Sequence, residues 1–207
     1  MKKYIPLLFI IISFFAALFV WPMMPDLLAS HWGVFGQVDG YMTKFWGLFF
    51  MPFLSVILYV LFLFLPKLDP YKKNFTEFQN HYDNFMIVIF GFFTYIYLLT
   101  IFWNLNYHFN MVQFLSPAFS ILFYFTGDLI SKTKQNWFVG IRTPWTMSSP
   151  IVWQKTHAIG SKLFKLVALF SFFGLFFPNQ AFYLLFIPII FTVIFVFVYS
   201  YIQYSRL

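Results

Sequence analysis

The residues best suited to chemistry lie in one short segment, NWFVGIRTPWTMSSPIVWQKTH, between Asn136 and His157. Arg142 offers a rigid fork of donors that suits a carboxylate or a phosphate, and His157 offers an imidazole. One interpretation is a binding or gating site at the mouth of a membrane domain. The other is a juxtamembrane loop, in which the arginine meets lipid phosphates and the tryptophans lie at the membrane interface.

Two elements must position these side chains. Gly140, Pro144 and Pro150 disfavour a continuous helix, so we expect an ordered loop over residues 136–149. Ser149 followed by Pro150 is typical of an N-cap and a first helical position. The sequence therefore predicts that the next helix begins there.

That helix would carry Trp153, His157, Gly160 and Phe164 along one face. The loop could then fold Arg142 back towards this face. The first candidate binding site comprises Asp128 and ten residues of the motif: Asn136, Gly140, Arg142, Thr143, Pro144, Trp145, Thr146, Trp153, Thr156 and His157.

Asp128 lies inside an apolar run, where an acidic residue is a functional candidate by default. An ion pair with Lys132, four residues on, is the simpler interpretation, and a pair with Arg142 is the alternative. A proton-transfer pair with His157 would have no obvious nucleophile beside it. Because the chain has no GxSxG, HExxH or P-loop motif, we expect no catalytic residue and no cofactor.

A second polar segment, HWGVFGQVDGYMTK, runs from His31 to Lys44. Its three glycines permit tight turns, and Asp39 followed by Gly40 is a turn signal. We therefore expect a compact loop. Its candidate residues are His31, Trp32, Gly36, Asp39, Gly40, Tyr41 and Lys44.

Two interpretations of this loop are open. The favoured one places Trp32 and Tyr41 against lipid headgroups. The alternative is a metal or pH-sensing site, whose side chains would be Asp26, His31, Asp39 and His108. Spacing alone is a weak indication of a metal site, so we expect no metal.

Composition sets the class of protein. The chain has 207 residues, of which 61% are hydrophobic and only 9% are charged, whereas soluble domains carry about 25% charged residues. A water-soluble core cannot bury so much apolar surface, so lipid must be the solvent. The chain has no cysteine, which excludes disulfides and thiolate metal sites.

Six apolar runs are long enough to cross a bilayer as helices, which takes about 20 residues each. The predicted spans are residues 4–22, 45–65, 83–103, 111–130, 158–177 and 181–203. The runs are continuous rather than alternating, which excludes a closed barrel. The first run is longer than the apolar part of a signal peptide, so we expect it to be retained. The predicted fold class is all-α, a polytopic membrane protein with six transmembrane helices.

The basic residues predict the orientation. All but one of the 13 lysines and arginines flank the same side of the predicted spans, and the exception is Lys44. The positive-inside rule then places both termini in the cytoplasm. The net charge of +7 is therefore a topology signal, and we expect the lipid bilayer rather than nucleic acid as a partner.

The segment PKLDPYKKNFTEFQNHY, residues 66–82, follows the second span. Asn74 and Glu77 form a capping-box pattern. Aromatic residues then recur near helical spacing at Phe75, Phe78, Tyr82 and Phe85. We expect a short helix that lies in the membrane interface before the third span.

We expect one integrated membrane domain. Residues 1–82 form an N-terminal half with two spans, the outer loop and the interfacial helix, and residues 83–207 form a four-span part with the cytosolic GIRTPWT loop. The two long connections follow the first helix of each three-helix half and lie on opposite sides. This arrangement is compatible with a 3+3 inverted repeat.

Three segments resemble the bacterial immunity proteins of the Sdp killing-factor system. Residues 31–44 follow the pattern HWxxxGxxDGYxxK, and residues 136–157 follow NxxxGIRTPWTL…W..TH with Met147 in place of the usual leucine. Residues 69–82 follow DPxxxN…F…Y through Asp69, Pro70, Asn74, Phe78 and Tyr82. The resemblance covers about residues 20–165, and the last spans match only in hydropathy.

The resemblance implies protection against a secreted, membrane-active peptide toxin that the outer loop would meet. It also implies the plasma membrane of a bacterium, and that toxin binding lets the protein hold a cytosolic repressor at the membrane. In the predicted topology, residues 136–157 could meet such a repressor or stabilise a second conformation. Two other classes stay open. One is a membrane enzyme that uses Arg142, His157 or Asp128, and the other is a small transporter, against which the scarcity of polar residues in the spans argues.

Overall fold

The computed structural model describes residues 2–207, and within them the chain forms seven α-helices and one two-stranded sheet. The elements, in chain order, are α1 (Ile5–Val20), β1 (Leu27–Trp32), β2 (Val38–Thr43), α2 (Lys44–Leu68), α3 (Lys72–Asn104), α4 (Met111–Lys132), α5 (Pro144–Ser148), α6 (Pro150–Phe173) and α7 (Ala181–Tyr204). The protein is therefore mainly helical, with a small sheet that the all-α prediction did not include.

Five helices are long and apolar enough to cross a membrane: α1 with its flanking 3-10 turns, α2, α3, α4 and α7. α6 has 24 residues, as many as α7, but it carries Lys155, Lys162 and Lys165 and is not among the five. Large apolar side chains such as Phe15, Ile57 and Phe191 are exposed on the outer helix faces. The chain is a multi-pass membrane protein, because only lipid can cover such surfaces favourably.

α3 and α4 join two groups of helices. α1, α2 and α3 pack on one another, and α4 packs against α3 on one side and against α6 on the other. α6 in turn packs against α7, and α5 contacts both. We call the end with β1 and β2 the hairpin end, and the end with residues 133–149 the motif end.

α3 begins at Lys72 and runs without a break to Asn104, so the prediction of a separate interfacial helix is wrong. Its buried residues include Phe75, Phe78, Tyr82, Met86, Phe90, Thr94, Tyr97 and Ile101. Because this buried stripe continues from the first turns into the apolar run, nothing ends the helix between them. The predicted capping box is also absent: Tyr71 is the N-cap, and the Asn74 side chain instead donates to the Gln135 carbonyl (2.7 Å).

β1 and β2 form an antiparallel hairpin where the sequence predicted a compact loop. The chain reverses at Gly33, whose N–H donates to the Gln37 carbonyl (2.8 Å) and whose carbonyl accepts from the Gly36 N–H (2.9 Å). Gly36 has a φ of 81°, which glycine adopts without strain. Asp39 and Gly40 lie within β2, so the turn predicted at these two residues is wrong.

Asn104, the last residue of α3, fastens the hairpin to the helices. Its Oδ1 accepts from the Ala29 N–H (2.8 Å), and its Nδ2 donates to the carbonyls of Ala29 (3.0 Å) and Thr100 (2.9 Å). The side-chain amide thus satisfies both backbone groups of a β1 residue, as a neighbouring strand would.

Asn104→Asp should loosen the hairpin. It replaces the Nδ2 group, which donates to the Ala29 carbonyl, with an oxygen that cannot donate. We expect amide hydrogen exchange in residues 27–43 to accelerate by roughly fivefold to tenfold, the effect of losing one hydrogen bond. The measurement is exchange followed by mass spectrometry in detergent. Asn106→Asp, at an exposed position two residues later, is the control, and equal exchange in both variants would contradict this role.

Candidate functional site at the motif end

Asn136 organises the start of the motif. Its buried side chain accepts at Oδ1 from the N–H groups of Phe138 (2.9 Å) and Val139 (2.7 Å). Its Nδ2 donates to the carbonyls of Lys134 and Val139, both at 2.8 Å. The amide uses both of its donor hydrogens and both oxygen lone pairs, so the loop has a fixed conformation before it reaches Gly140.

His157 fastens the loop to α6. Its Nε2 accepts from the Ile141 N–H (2.9 Å), and its Nδ1 donates to the Trp153 carbonyl (2.8 Å). Because a backbone N–H only donates and a carbonyl only accepts, the ring is neutral and carries its proton on Nδ1. Burial lowers the pKa of His157 to about 4, which agrees with a neutral imidazole.

Trp153 and Gly140 enclose the imidazole. The Trp153 ring stacks on His157 with 3.9 Å between centroids, and its Nε1 donates to the Thr133 carbonyl (3.0 Å). Gly140 has a φ of 126°, and a Cβ there would lie 2.4 Å from His157 Nε2. Only glycine therefore lets the loop approach the ring so closely.

Gly160 and Phe164, the other two residues of the predicted helical face, also lie beside the loop. A Cβ on Gly160 would lie 2.4 Å from Ile141 Cδ1, so the absence of a side chain lets the loop pack on α6. Phe164 lines an apolar cavity of about 260 Å³ together with Val139 and Ile141. All four residues that the spacing placed on one helical face therefore lie on the side of α6 that faces the loop.

The last three residues of GIRTPWT begin α5, whereas Gly140 to Arg142 form the loop before it and Thr143 is the N-cap. Thr143 Oγ1 accepts from the Thr146 N–H (3.2 Å), and Thr146 Oγ1 accepts from the Thr143 N–H (2.9 Å), which makes a reciprocal capping box. Pro144 occupies the first helical turn, where its missing N–H costs nothing. The proline therefore begins a helix, which corrects the prediction of a loop throughout residues 136–149. Ser149 caps α6 as predicted, with Oγ 3.4 Å from the Val152 N–H.

α5 attaches the motif to α7. Thr143 Oγ1 lies 3.0 Å from Ser200 Oγ, and both side chains are buried. The Trp145 ring packs against Phe197 and Tyr201, with centroid distances of 5.2 and 5.1 Å. α5 therefore contacts both α6 and α7.

Arg142 is exposed and does not turn towards the His157 face. Its Nη1 donates to the Trp137 carbonyl, and within residues 2–207 it makes no ion pair with a carboxylate. The expected fold-back of Arg142 and its alternative pair with Asp128 are therefore both wrong. Most of its donors face solvent, where they can meet a phosphate or a carboxylate of a partner.

Asp128 pairs with a residue that the sequence analysis did not select. Its Oδ2 lies 2.8 Å from Nδ1 of His81 on α3, and about a third of each side chain is exposed. The expected partner, Lys132, makes no ion pair with it. His81 and Asp128 are 47 positions apart, so only the packing of α3 against α4 reveals the pair.

Two further residues hold the motif in place, Asp69 from the α2–α3 turn and Gln135 from the segment after α4. Asp69 is fully buried, and its carboxylate accepts from the N–H groups of Tyr71 (2.7 Å) and Trp137 (2.8 Å). Gln135 donates from Nε2 to the carbonyls of Thr146 (3.0 Å) and Met147 (2.6 Å). Asp69 could have been selected from the DPxxxN pattern, whereas nothing in the sequence singles out Gln135.

A polar groove of about 550 Å³ lies beside the motif, between α4 and α6. Lys132, Lys134 and Gln154 line it, and His157 forms part of its wall with both ring nitrogens engaged. Lys134 also pairs with Glu77 (2.6 Å). Thr156 is buried next to His157 in sequence, and its Oγ1 has no partner within residues 2–207. The groove is suited to an anionic group rather than to a metal ion.

At the hairpin end, His31 and Asp39 face each other across the two strands, with 2.5 Å between Nδ1 and Oδ1. Both side chains are largely exposed. His108 instead packs on Trp103 (4.5 Å between centroids), and Asp26 makes no ion pair with any residue from 2 to 207. The structure therefore brings together only two of the four residues of the metal or pH-sensing alternative. Within residues 2–207, His, Asp and Glu side chains form no group of three that could hold a metal ion.

The other hairpin candidates have structural contacts. Trp32 packs edge-on against Trp103 (5.8 Å), and Lys44 Nζ lies 5.1 Å above the Trp21 ring. Gly40 lies opposite His31, and a Cβ on this glycine would approach the His31 Cβ to 2.9 Å. Tyr41 is exposed, as expected for a residue at the headgroups.

The bundle, its hairpin and its folded motif define a multi-pass helical membrane protein with one structured connection at each end. Residues 132–200 match the SdpI/YfhL protein family, and residues 8–56 match a domain of unknown function, DUF1648. The chain is 23% identical to Immunity protein SdpI of Bacillus subtilis (strain 168) over 176 residues, which cover 83% of this chain and 82% of that protein. No solved structure matches. The predicted resemblance to the Sdp-type immunity protein family is confirmed.

Protonation of His157 should destabilise the fold. Its folded pKa of about 4 lies below the ordinary value of 6.5, so the unfolded chain binds more protons between these pH values and stability falls as pH is lowered through them. Compared with His157→Phe, the wild type should lose up to roughly 3 kcal/mol between pH 7 and pH 4. Thermal melting in detergent measures this. A difference in melting temperature between the wild type and His157→Phe that does not change with pH would contradict the prediction.

The His81–Asp128 pair should be energetically coupled. We expect His81→Ala and Asp128→Ala each to lower the melting temperature. The double variant should lose less free energy of unfolding than the sum of the two single losses, by roughly 0.5–1 kcal/mol. Solvent exposure of the pair limits this value. Lys132→Ala, which removes the partner expected from the sequence, should have no effect. Additive effects of the first two substitutions would show that the pair contributes nothing.

Proposed function

We propose that this protein is a membrane immunity protein that protects its cell against a secreted, membrane-active peptide toxin. The observation that carries the proposal is the similarity to Immunity protein SdpI, which extends over 83% of the chain. A match of this length extends well beyond the GIRTPWT motif.

The proposed topology has six spans, with α6 as the sixth. The lysines of α6 lie in its first 16 residues, and beyond Lys165 its exposed residues are apolar: Leu166, Leu169, Phe170, Phe172 and Phe173. α6 also packs between α4 and α7, which both have the length and composition of spans. A helix in this position crosses the bilayer with its neighbours, while its first turns extend beyond the membrane at the motif end.

Both termini are proposed to lie in the cytoplasm, at the motif end. Lys2 Nζ donates to Asn80 and Asn84 near the start of α3, and Lys155 Nζ donates to Gln203 near the end of α7. The basic residues are concentrated at this same end, whereas Lys44 is at the hairpin end, so the positive-inside rule supports the orientation. A 3+3 inverted repeat stays a proposal of the same kind.

In this orientation the hairpin is the surface that meets the toxin. The exposed side chains of His31, Asp39 and Tyr41 supply polar and aromatic contacts there. Toxin binding can change the cytosolic side only if the toxin binds two conformations with different affinity. α3 links the ends physically, because Asn104 bonds to the hairpin and Asn74 bonds to the motif.

The motif is proposed to be a rigid cytosolic surface that presents Arg142, and a cytosolic repressor is its candidate partner. The polar groups of Asn136, Thr143 and His157 are occupied by internal hydrogen bonds, so they shape the motif. Arg142 is exposed and free of carboxylates within residues 2–207. This division of roles favours a binding surface over an active site.

Survival of a toxin-sensitive bacterium tests the proposal. Cells that express the wild type should survive an Sdp-type peptide toxin, and Arg142→Ala should lose protection while it reaches the membrane in equal amount. Arg206→Ala, at an exposed arginine near the C-terminus, is the matched control and should protect fully.

Two outcomes would contradict parts of the proposal. Protection by Arg142→Ala would refute the role of Arg142 and leave immunity standing. Failure of the wild type to protect, despite its presence in the membrane, would refute immunity to that toxin.

A further inference from the structure

A second groove continues the line of the polar groove along α4 and α6. The polar groove, of about 550 Å³, lies at the motif end, and its lining comes mainly from residues 131–135 and residues 150–158. The second groove has a volume of about 400 Å³ and lies between residues 120–125 of α4 and residues 165–172 of α6. We call it the apolar groove, because most of the side chains that line it are apolar.

The two grooves lie on the same side of the α4–α6 pair. On α6, residues that line them are separated by three, four or seven positions, a spacing that keeps side chains on one helical face: Gln154, Ala158, Lys165, Leu169 and Phe172. On α4, Tyr124 lines the apolar groove and Ser131 lines the polar groove, seven positions further on. One elongated molecule can therefore occupy both grooves.

The chemistry of the lining changes along this line. Lysine, hydroxyl and amide side chains line the polar groove, whereas exposed Ile121, Leu169 and Phe172 line the apolar groove. From Lys132 to Ser120 the line follows α4 for roughly 18 Å, which is close to the hydrocarbon thickness of one leaflet, about 15 Å. The matching occupant is an amphiphile, with its polar group at the motif end and a hydrocarbon chain that runs towards the middle of the bundle.

Two lysines along the line have no acidic partner. Within residues 2–207, Lys132 and Lys165 make no ion pair, whereas Lys134 pairs with Glu77 (2.6 Å). Lys132 lines the polar groove, and Lys165 lies at the start of the apolar groove. The polar group that complements this pair of ammonium groups carries a negative charge.

The stem of Lys165 lies where α4 and α6 cross. A Cβ on Gly127 would approach the Lys165 Cγ to 3.1 Å, and Lys165 Nζ lies 5.5 Å from the centre of the Tyr124 ring. Lys132 is five residues beyond Gly127 on α4, or roughly 8 Å, so the two flexible stems can bring both ammonium groups to one phosphate. Asp128 lies on α4 between Gly127 and Lys132, but its carboxylate is bonded to α3.

We infer that this face of α4 and α6 binds an anionic phospholipid of the leaflet at the motif end. The phosphate accepts hydrogen bonds from Lys132 and Lys165, and one acyl chain lies in the apolar groove against Ile121 and Leu169. The inference rests on the proposed position of α6 across the bilayer, but not on immunity. The survival test of immunity does not involve these lysines, so the two proposals can fail separately.

Paired phospholipids that differ only in the headgroup test the inference. The full-length protein is purified in a neutral detergent and offered phosphatidylglycerol or phosphatidylcholine with the same acyl chains. Native mass spectrometry then measures the retained lipid. The wild type should retain phosphatidylglycerol roughly tenfold better, the effect of a hydrogen bond between charged groups, because the choline cation of the other lipid opposes the two lysines.

Substitutions assign this preference to the grooves. Lys132→Gln and Lys165→Gln should each lower it roughly threefold, since the two lysines share one phosphate, and the double variant should retain both lipids equally. Lys155→Gln is the matched control and should keep the preference of the wild type, because Lys155 is an exposed lysine of α6 that donates to Gln203 on α7 (3.2 Å).

A further variant tests the acyl chain. Ser120→Phe fills the apolar groove without a change of charge, and it should lower the retention of phosphatidylglycerol even though both lysines are present. Melting temperatures ensure that only folded variants are compared. The substitutions of Lys132 and Lys165 should leave the fold intact, because neither ammonium group makes an ion pair within residues 2–207.

Three results would overturn the inference. Equal retention of the two lipids by the wild type, or an equal loss of preference in Lys155→Gln, would show that the grooves do not select an anionic lipid. Displacement of the lipid by glycerophosphoglycerol, the headgroup without chains, at the same concentration would identify a site for a free phosphate. Displacement by an end-blocked glutamate-rich peptide at that concentration would identify a protein-binding surface instead.

Discussion

The requirement that backbone groups be satisfied near lipid governs both connections of this protein. Helices meet the requirement internally, but irregular chain at a membrane boundary needs other partners. At the motif end the partners are side chains: Asn136 takes four bonds, and His157 takes the Ile141 N–H. At the hairpin end they are the β1–β2 ladder and Asn104. Both connections are consequently folded elements rather than flexible loops.

The neutral state of His157 follows from the same requirement. The ring bridges an N–H and a carbonyl, so a second proton would displace the Ile141 bond and place a charge among buried groups. Trp153 and Gly140 leave no room for rearrangement around the ring. The residue that looked most able to transfer protons is therefore used to build the motif, whereas Arg142 stays exposed.

α3 gives the two ends a common support. It runs from the motif end to the hairpin end as one helix, with Asn74 bonded to the chain before the motif and Asn104 bonded to β1. His81 adds a contact with Asp128 on α4. A change at one end that shifts α3 must alter contacts at the other, which is the physical basis on which a receptor of this architecture would work.

The sequence by itself determined the class of protein, the helices and the two polar segments, because apolar runs and helix signals such as Ser149 depend on neighbouring residues. It could not determine contacts between distant residues. Helix packing decides the partner of Asp128, the exposure of Arg142 and the unbroken course of α3. The chain turns at Gly36 rather than at the Asp39-Gly40 turn signal, because the strands pair on either side of Gly36. Tertiary structure also decided which polar atoms lack partners, since burial of Tyr97 is a property of the whole bundle.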